Sequence, residues 1–284
     1  MTACPDSAAA IPPLGWDDLG QAQRDAAYDN LAAVAGAAAI QQARHEASAR
    51  FRAERPGCLD RPYGPDERNR WDLFPARDPH APCLAFIHGG YWQRGSRNSG
   101  SVLGTGVMAH GWSYACVGYP LAPQVSVGAI VAHLRRALDW LRDTGPSLGI
   151  AGPLFLCGSS VGGHLASMLL DHVAVRAGLA ISGIYDLAQI RDTYLNAKLR
   201  LSDHDIATCS PLRMPAVDKT LAIAYGTREL PALIGHGRAF HGYRADRHRP
   251  GALIPVPQAN HFTILDSLES PTGILTGHVL QLAN

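Results

Sequence analysis

The string in this chain best suited to covalent chemistry is Gly158-x-Ser160-x-Gly162, which follows the apolar run Leu154 to Cys157 and leads into a helical pattern. A strand that reverses sharply into a helix needs small residues two before and two after the turning position, because side chains there would clash, and Gly158 and Gly162 supply that clearance. Such a turn holds Ser160 in a strained conformation, with its hydroxyl exposed at the carboxyl end of the strand and beside the positive end of the helix. Ser160 is therefore the candidate nucleophile for acyl transfer. A Gly/Ser-rich turn can also be a plain turn or a phosphate loop, but the strand before and the helix after favour the nucleophile. Ser159 lacks the flanking glycines and is expected beneath the turn.

Acyl transfer places negative charge on a carbonyl oxygen, and each preorganised backbone N–H that meets it can contribute about 3 to 4 kcal/mol. The apolar run Cys83 to Ile87 ends in His88-Gly89-Gly90-Tyr91-Trp92. Adjacent glycines let backbone approach a substrate closely, so the candidate donors are the N–H groups of Gly89, Gly90 or Tyr91, together with that of Val161. His88 reads as a structural residue that hydrogen-bonds the loop into shape. Tyr91 and Trp92 are candidates for lining the substrate pocket, or for packing beneath the N-terminal helices.

Triads that use such a turn run serine, acid, histidine along the chain, each at the carboxyl end of a strand. Glu229 follows the apolar run Leu221 to Tyr225, and His261 follows Ala252 to Val256. His261 would act as general base, and Glu229 would accept its other ring N–H and fix its tautomer. Asp186 and Asp266 are rival acids, the first readable as a loop organiser and the second as a helix-surface residue; Glu229 itself could be a surface carboxylate paired with Arg228.

These residues need a frame that delivers them to one edge. From residue 83 onward short apolar runs alternate with helical stretches, the order of a parallel sheet covered by helices. Strands are expected at Cys83 to Ile87, Ser113 to Val117, Leu154 to Cys157, Ala177 to Ile181, Leu221 to Tyr225 and Ala252 to Val256. Helices are expected near Val102 to Ala109, Gly128 to Arg142, Gly162 to His172, Pro231 to Arg244, Phe262 to Leu268 and Pro271 to Leu282. Arg61 to Phe74 reads as a leading strand or hairpin with a Tyr63-Gly64-Pro65 turn. Residues 15 to 55 have helical composition, are divided at Gly36 and end at the breaker Arg55-Pro56-Gly57. The expected architecture is an α/β-hydrolase fold: one domain over residues 1–284, with a mostly parallel central sheet, helices on both faces, and the 15–55 segment as a possible cap over the site.

Composition excludes other classes. With 46% hydrophobic and 17% charged residues the chain can bury a large core, and 25 Lys+Arg against 24 Asp+Glu leave no field to attract nucleic acid or an anionic membrane. The basic stretch Arg244 to Arg249 is expected to be solvated. Six cysteines, Cys4, Cys58, Cys83, Cys116, Cys157 and Cys209, form no C-x-x-C pair, and Cys83, Cys116 and Cys157 read as small buried hydrophobes. His236, His241 and His248 lack metal-ligand spacing, so no metal or other cofactor is expected. No apolar run reaches the roughly 18 residues of a spanning helix. Met1 to Pro13 has no signal-peptide pattern, so a cytoplasmic location is expected.

With His88-Gly-Gly-Tyr-Trp-Gln93, Gly118-Tyr-Pro-Leu-Ala-Pro123, Gly158-x-Ser160-x-Gly-Gly-His-Leu-Ala166 and Ser182-Gly-Ile-Tyr-Asp-Leu187 in order, the chain resembles the kynurenine formamidase (arylformamidase) branch of the α/β-hydrolases. The likeness runs from about Trp71 to Leu268 and takes in Tyr194-Leu-Asn196, Ser210-Pro211 and Asn260-His261-Phe262. It implies metal-independent hydrolysis of an N-formyl aryl amine, such as N-formylkynurenine, to formate and the free amine. Related sequences include carboxylesterases acting on small acyl esters, and a non-catalytic binding member of the fold is the reading of another class. Two departures stand out: Ser159 replaces the histidine often found before the nucleophile, and Glu229 stands where animal members carry aspartate.

Overall fold

In the computed structural model, which describes residues 15–55 and 58–283, eight strands form one sheet in the order β1-β2-β4-β3-β5-β6-β7-β8. The strands are β1 (Arg61–Pro62), β2 (Arg70–Phe74), β3 (Cys83–Ile87), β4 (Ser113–Val117), β5 (Leu154–Ser159), β6 (Val175–Ile181), β7 (Leu221–Gly226) and β8 (Leu253–Val256). Strand β2 pairs antiparallel with both β1 and β4, and β3 through β8 pair in parallel. Cys4, Met1 to Pro13 and the Pro56-Gly57 half of the breaker lie outside the described residues.

The central strands carry apolar side chains on both faces because both faces are covered. Cys83, Ala85 and Ile87 of β3 join one core with Leu154 and Leu156 of β5, while Leu84, Phe86, Phe155 and Cys157 join the other. The strand period of two thus splits each run between two layers. Helix Val127–Thr144 packs Ile130, Leu134, Leu138 and Leu141 on the first layer, and helix Ile274–Gln281 packs Leu275 and Val279 on the second. Burial pushes the thiol of Cys116 up to about 12 and keeps Cys83 and Cys157 protonated. Among the described residues no helix is long and apolar enough to cross a membrane.

Several expected elements are redrawn. The helix after Ser160 spans only Val161–Met168, because the Nδ1 of His172 accepts from the N–H of Ala174 and Lys219 takes the His172 carbonyl, replacing a last helical turn. Helix Val102 to Ala109 becomes a 3₁₀ stretch, Arg97–Gly104, followed by Thr105–Met108, with Gly104 pressed on the ring of Tyr114. Between β6 and β7 lie short helices Ala188–Arg191, Asn196–Leu199 and Asp203–Cys209, where no element was expected. Arg244, expected in a solvated stretch, is instead buried and donates to the carbonyls of Val217, Lys219 and Pro250.

One topological feature positions the site. Strand β3 lies between β4 and β5, so the chain leaves β3 for one side and later leaves β5 on the other. The carboxyl ends at such a switch point open a crevice. Ile87 is in register with Gly158, which brings the loop after residue 87 beside the turn at residue 160.

Candidate active site

Ser160 has φ 58° and ψ −122°, a sparsely populated conformation that costs on the order of 1–3 kcal/mol. It is held by the Ser160 N–H donating to Ile181 at 2.7 Å and by the Ser160 carbonyl accepting from Gly163 at 2.9 Å. The flanking glycines are required by backbone contact: a Cβ at Gly158 would lie 2.1 Å from the Gly162 carbonyl oxygen, and one at Gly162 would lie 1.9 Å from that of Ile87. Ser159, expected beneath the turn, instead contributes to the wall of the cavity that Ser160 faces.

The loop after β3 is equally tight. Gly90 has φ 120° and lies against the Arg94 backbone, while Tyr91 and Trp92 adopt φ 52° and 58°. His88 donates from Nδ1 to the Gly89 carbonyl at 2.8 Å and stacks on Tyr119 with ring centroids 4.2 Å apart. Burial lowers its imidazole to about 4, so it is a neutral fixture of the loop. Among the described residues, the backbone N–H groups of Gly89, Gly90, Tyr91 and Val161 have no hydrogen-bond acceptor. Trp92 is turned away from the cavity, fully buried with its ring edge on His164 at 5.1 Å. The pocket-lining expectation therefore fails for Trp92, because the left-handed turn at residues 91 and 92 sends the two aromatic rings to different surroundings.

Glu229 and His261 meet. The His261 Nδ1–H donates to Oε2 of Glu229 at 3.0 Å, and the Glu229 side chain is completely buried. Its other oxygen accepts from the Gly226 N–H and from the Ser182 hydroxyl, each at 2.6 Å. A carboxylate so satisfied is locked in place, and its partner imidazole is left with Nε2 as the acceptor. The loops after β7 and β8 are joined by the Arg228 N–H donating to Ala259, and the Asn260 side chain accepts from the N–H groups of Phe262 and Thr263. Neither rival acid reaches His261: Asp186 is paired with Arg213 through two bonds of 2.9 Å, and Asp266 pairs with Arg44 at 2.7 Å. Ser182 was missed among the site residues, although it opens the Ser182–Leu187 string and sits at φ 53° just past β6.

Ser160, His261, Gly89, Gly90 and Tyr91 all border one cavity of about 360 Å³. No hydrogen bond joins the Ser160 hydroxyl to His261 among the described residues; in ligand-free hydrolases such bonds are often long and tighten with substrate. The N-terminal segment lends the same cavity Asn30, Leu31, Gln41, Arg44 and His45. It is tied down by Asn30 donating to the Tyr91 hydroxyl at 2.7 Å, by the Tyr91 hydroxyl donating to the Tyr28 carbonyl, and by the Tyr28 hydroxyl, which donates to Gln189 at 2.6 Å and bonds His236 at 2.7 Å.

A parallel sheet with a strained serine turn after β5 and a histidine past β8 is the α/β-hydrolase fold, and the chain is a serine hydrolase. Within that class its sequence is similar to the kynurenine formamidase of Danio rerio, 26% identical over 249 residues that cover 82% of this chain and 84% of the relative. It is 28% identical over 229 residues to Esterase LipQ of Mycobacterium tuberculosis, covering 72% of this chain and 51% of that protein. A candidate thioesterase of Silicibacter sp. superposes with a TM-score of 0.80 at 26% identity, over 89% of this chain and 97% of that one. The profile of the BD-FAE family matches residues 73–171, the stretch that holds both the loop after β3 and the serine turn.

Proposed function

We propose that the protein is a metal-independent arylformamidase, hydrolysing compounds such as N-formylkynurenine through an acyl-enzyme. The observation that carries this reading is the chain of bonds from Ser182 to Glu229 to His261, ending at a free Nε2 on the wall that Ser160 shares. Ser160 attacks the formyl carbon as His261 takes its proton, and the N–H groups of Gly89, Gly90 or Tyr91 with Val161 receive the developing oxyanion. His261 then protonates the leaving amine, and water, activated by the same imidazole, releases formate. Glu229 holds the tautomer and stabilises the imidazolium.

Two features suit a formyl donor. Gly89 sits so close to the serine turn that a Cβ there would lie 3.1 Å from the Ser160 Cβ, which leaves little room for a long acyl chain on that side. The cavity has a volume in the range of small-molecule sites and an apolar wall that includes Phe86, Leu103, Phe262 and Leu265, fit for an aryl group. Residues 15–55 act as its cap within one catalytic domain. Five free cysteines among the described residues suit a reducing, cytoplasmic setting.

The similarity to Esterase LipQ supports a second reading, a carboxylesterase of small acyl groups. Comparing N-formylkynurenine with p-nitrophenyl acetate and butyrate separates them: an arylformamidase prefers the first by a wide margin, and a preference for the butyrate ester ends the formamidase reading. Fluorophosphonate is expected to label Ser160 under both readings, and an unmodified Ser160 would end both.

A further inference from the structure

Asn30 lies in the short helix Asn30–Ala33 of the N-terminal segment, is only 3% exposed and borders the cavity that holds Ser160. Its carboxamide is oriented by the bonds around it. The Tyr91 hydroxyl spends its single proton on the Tyr28 carbonyl, so toward Asn30 it can only accept, and the atom that meets it at 2.7 Å must be Nδ2. Oδ1 is thereby left as an acceptor, and no N–H or O–H among the described residues donates to it. A buried acceptor without a partner is unfavourable in the empty site and rewards a ligand that brings a donor.

We propose that Asn30 Oδ1 accepts the N–H of the scissile amide as the acyl–nitrogen bond breaks, and so sets the preference of the site for amides over esters. This role rests on the acyl-transfer site and the formamidase reading given above.

An amide differs from an ester at the leaving atom by one hydrogen. In the planar amide the nitrogen lone pair is delocalised into the carbonyl. When Ser160 Oγ bonds to the acyl carbon, the nitrogen becomes pyramidal and its lone pair turns toward His261, which hands on the proton taken from Ser160. The N–H turns away from that imidazole. The carbon–nitrogen bond then breaks with its electron pair on nitrogen, and the amine leaves with its original hydrogen and the one from His261; Asn30 exchanges no proton. Without an acceptor the turned N–H is stripped of water in the transition state, a cost that an ester oxygen, having no hydrogen, never meets. The order of the sheet suits this arrangement. Strand β3, whose loop carries Tyr91 and through it Asn30, lies on one side of β5, and β8, whose loop carries His261, lies on the other.

The test compares kcat/KM within two pairs that share acyl group and ring: formanilide with phenyl formate, and acetanilide with phenyl acetate. Asn30→Leu, close in volume and without a hydrogen-bonding group, lowers the amide-to-ester ratio about tenfold or more, through kcat with KM nearly kept, because the acceptor acts in the transition state. Asn30→Ala, which also lacks the acceptor, gives the same fall, whereas Asn30→Asp keeps an acceptor oxygen and holds the ratio within about threefold of the unmodified protein. Tyr28→Phe loosens the segment at Gln189 and His236 without touching the carboxamide, so it moves both members of a pair together and leaves the ratio unchanged. Anilide turnover with an unchanged ratio in Asn30→Leu and Asn30→Ala, or a fall in Asn30→Asp as large as theirs, overturns the inference and leaves the formamidase reading standing. A preference for acetanilide over formanilide, with a ratio that still depends on Asn30, sinks the formamidase reading and keeps the inference. Turnover of the esters and of neither anilide ends both.

Discussion

One wall of the cavity, residues 88–95 with 158–162, is backbone packed on backbone, and the wall lent by residues 28–45 hangs from side-chain hydrogen bonds. On the first, Gly89, Gly158 and Gly162 each approach another main chain so closely that even a methyl group would overlap it. On the second, Tyr28, Asn30 and Tyr91 hold the segment through a few polar contacts, and Leu31 remains 39% exposed. The difference fits the roles proposed for the two walls. Donors that meet a developing charge work best when they cannot reorganise, and backbone contact provides that rigidity. A cover over a substrate site can be held by ties worth about 0.5–1.5 kcal/mol each, which open locally at small cost.

If the first wall carries the chemistry, its loss is the largest effect. Ser160→Ala should lower kcat by on the order of 10⁶, with fluorophosphonate labelling abolished; near-normal turnover in a steady-state assay would remove Ser160 from the mechanism. Glu229→Gln should lower kcat by on the order of 10⁴, because the amide permits the wrong imidazole tautomer. Asp186→Asn should do far less, and the opposite ranking reassigns the acid.

Stability against pH probes both walls at once. His88 and His164 lie on the rigid side and His236 beneath Tyr28, and burial lowers each to about 4. The unfolded chain therefore binds protons at these sites from about pH 6.5 downward while the folded protein does not, so their contribution to stability is intact above pH 6.5 and is lost as pH falls toward 4. Urea midpoints should drop steeply through that window. His236→Gln should reduce the slope by about one proton, and an unaltered slope would mean that His236 is not held neutral.

Two variants sharpen the contrast further. Gly162→Ala should destabilise the whole fold by about 1–3 kcal/mol, read as a lower urea midpoint, because the added methyl meets the Ile87 carbonyl. Tyr28→Phe should cost about 1 kcal/mol or less, raise KM several-fold with kcat nearly kept, and speed proteolysis within residues 15–55. A kcat loss in Tyr28→Phe rivalling that of Glu229→Gln would erase the distinction between the walls.

The legibility of the chain divides along the same line. Strands β3 and β4 fall at their expected bounds, and the Gly-x-Ser-x-Gly turn was readable because its steric demands lie within five consecutive residues. The three short helices between β6 and β7 were not, since four to seven residues carry too little period; only the Ser202–Asp205 capping box marked one of them. Trp92 illustrates the limit for side chains: its neighbour Tyr91 reaches the cavity, and nothing in their shared string distinguishes the two rings.

Sequence by itself determined the sheet, the serine turn and the order of hydroxyl, carboxylate and imidazole, because local sterics and hydrophobic period act over neighbouring residues. Tertiary structure decided that Ser182 braces Glu229, that Asp186 is spent on Arg213, and that Arg44 from an N-terminal helix stands beside His261. Those pairings span tens to hundreds of positions, and only the closure of the sheet and its cover brings their atoms within hydrogen-bonding reach.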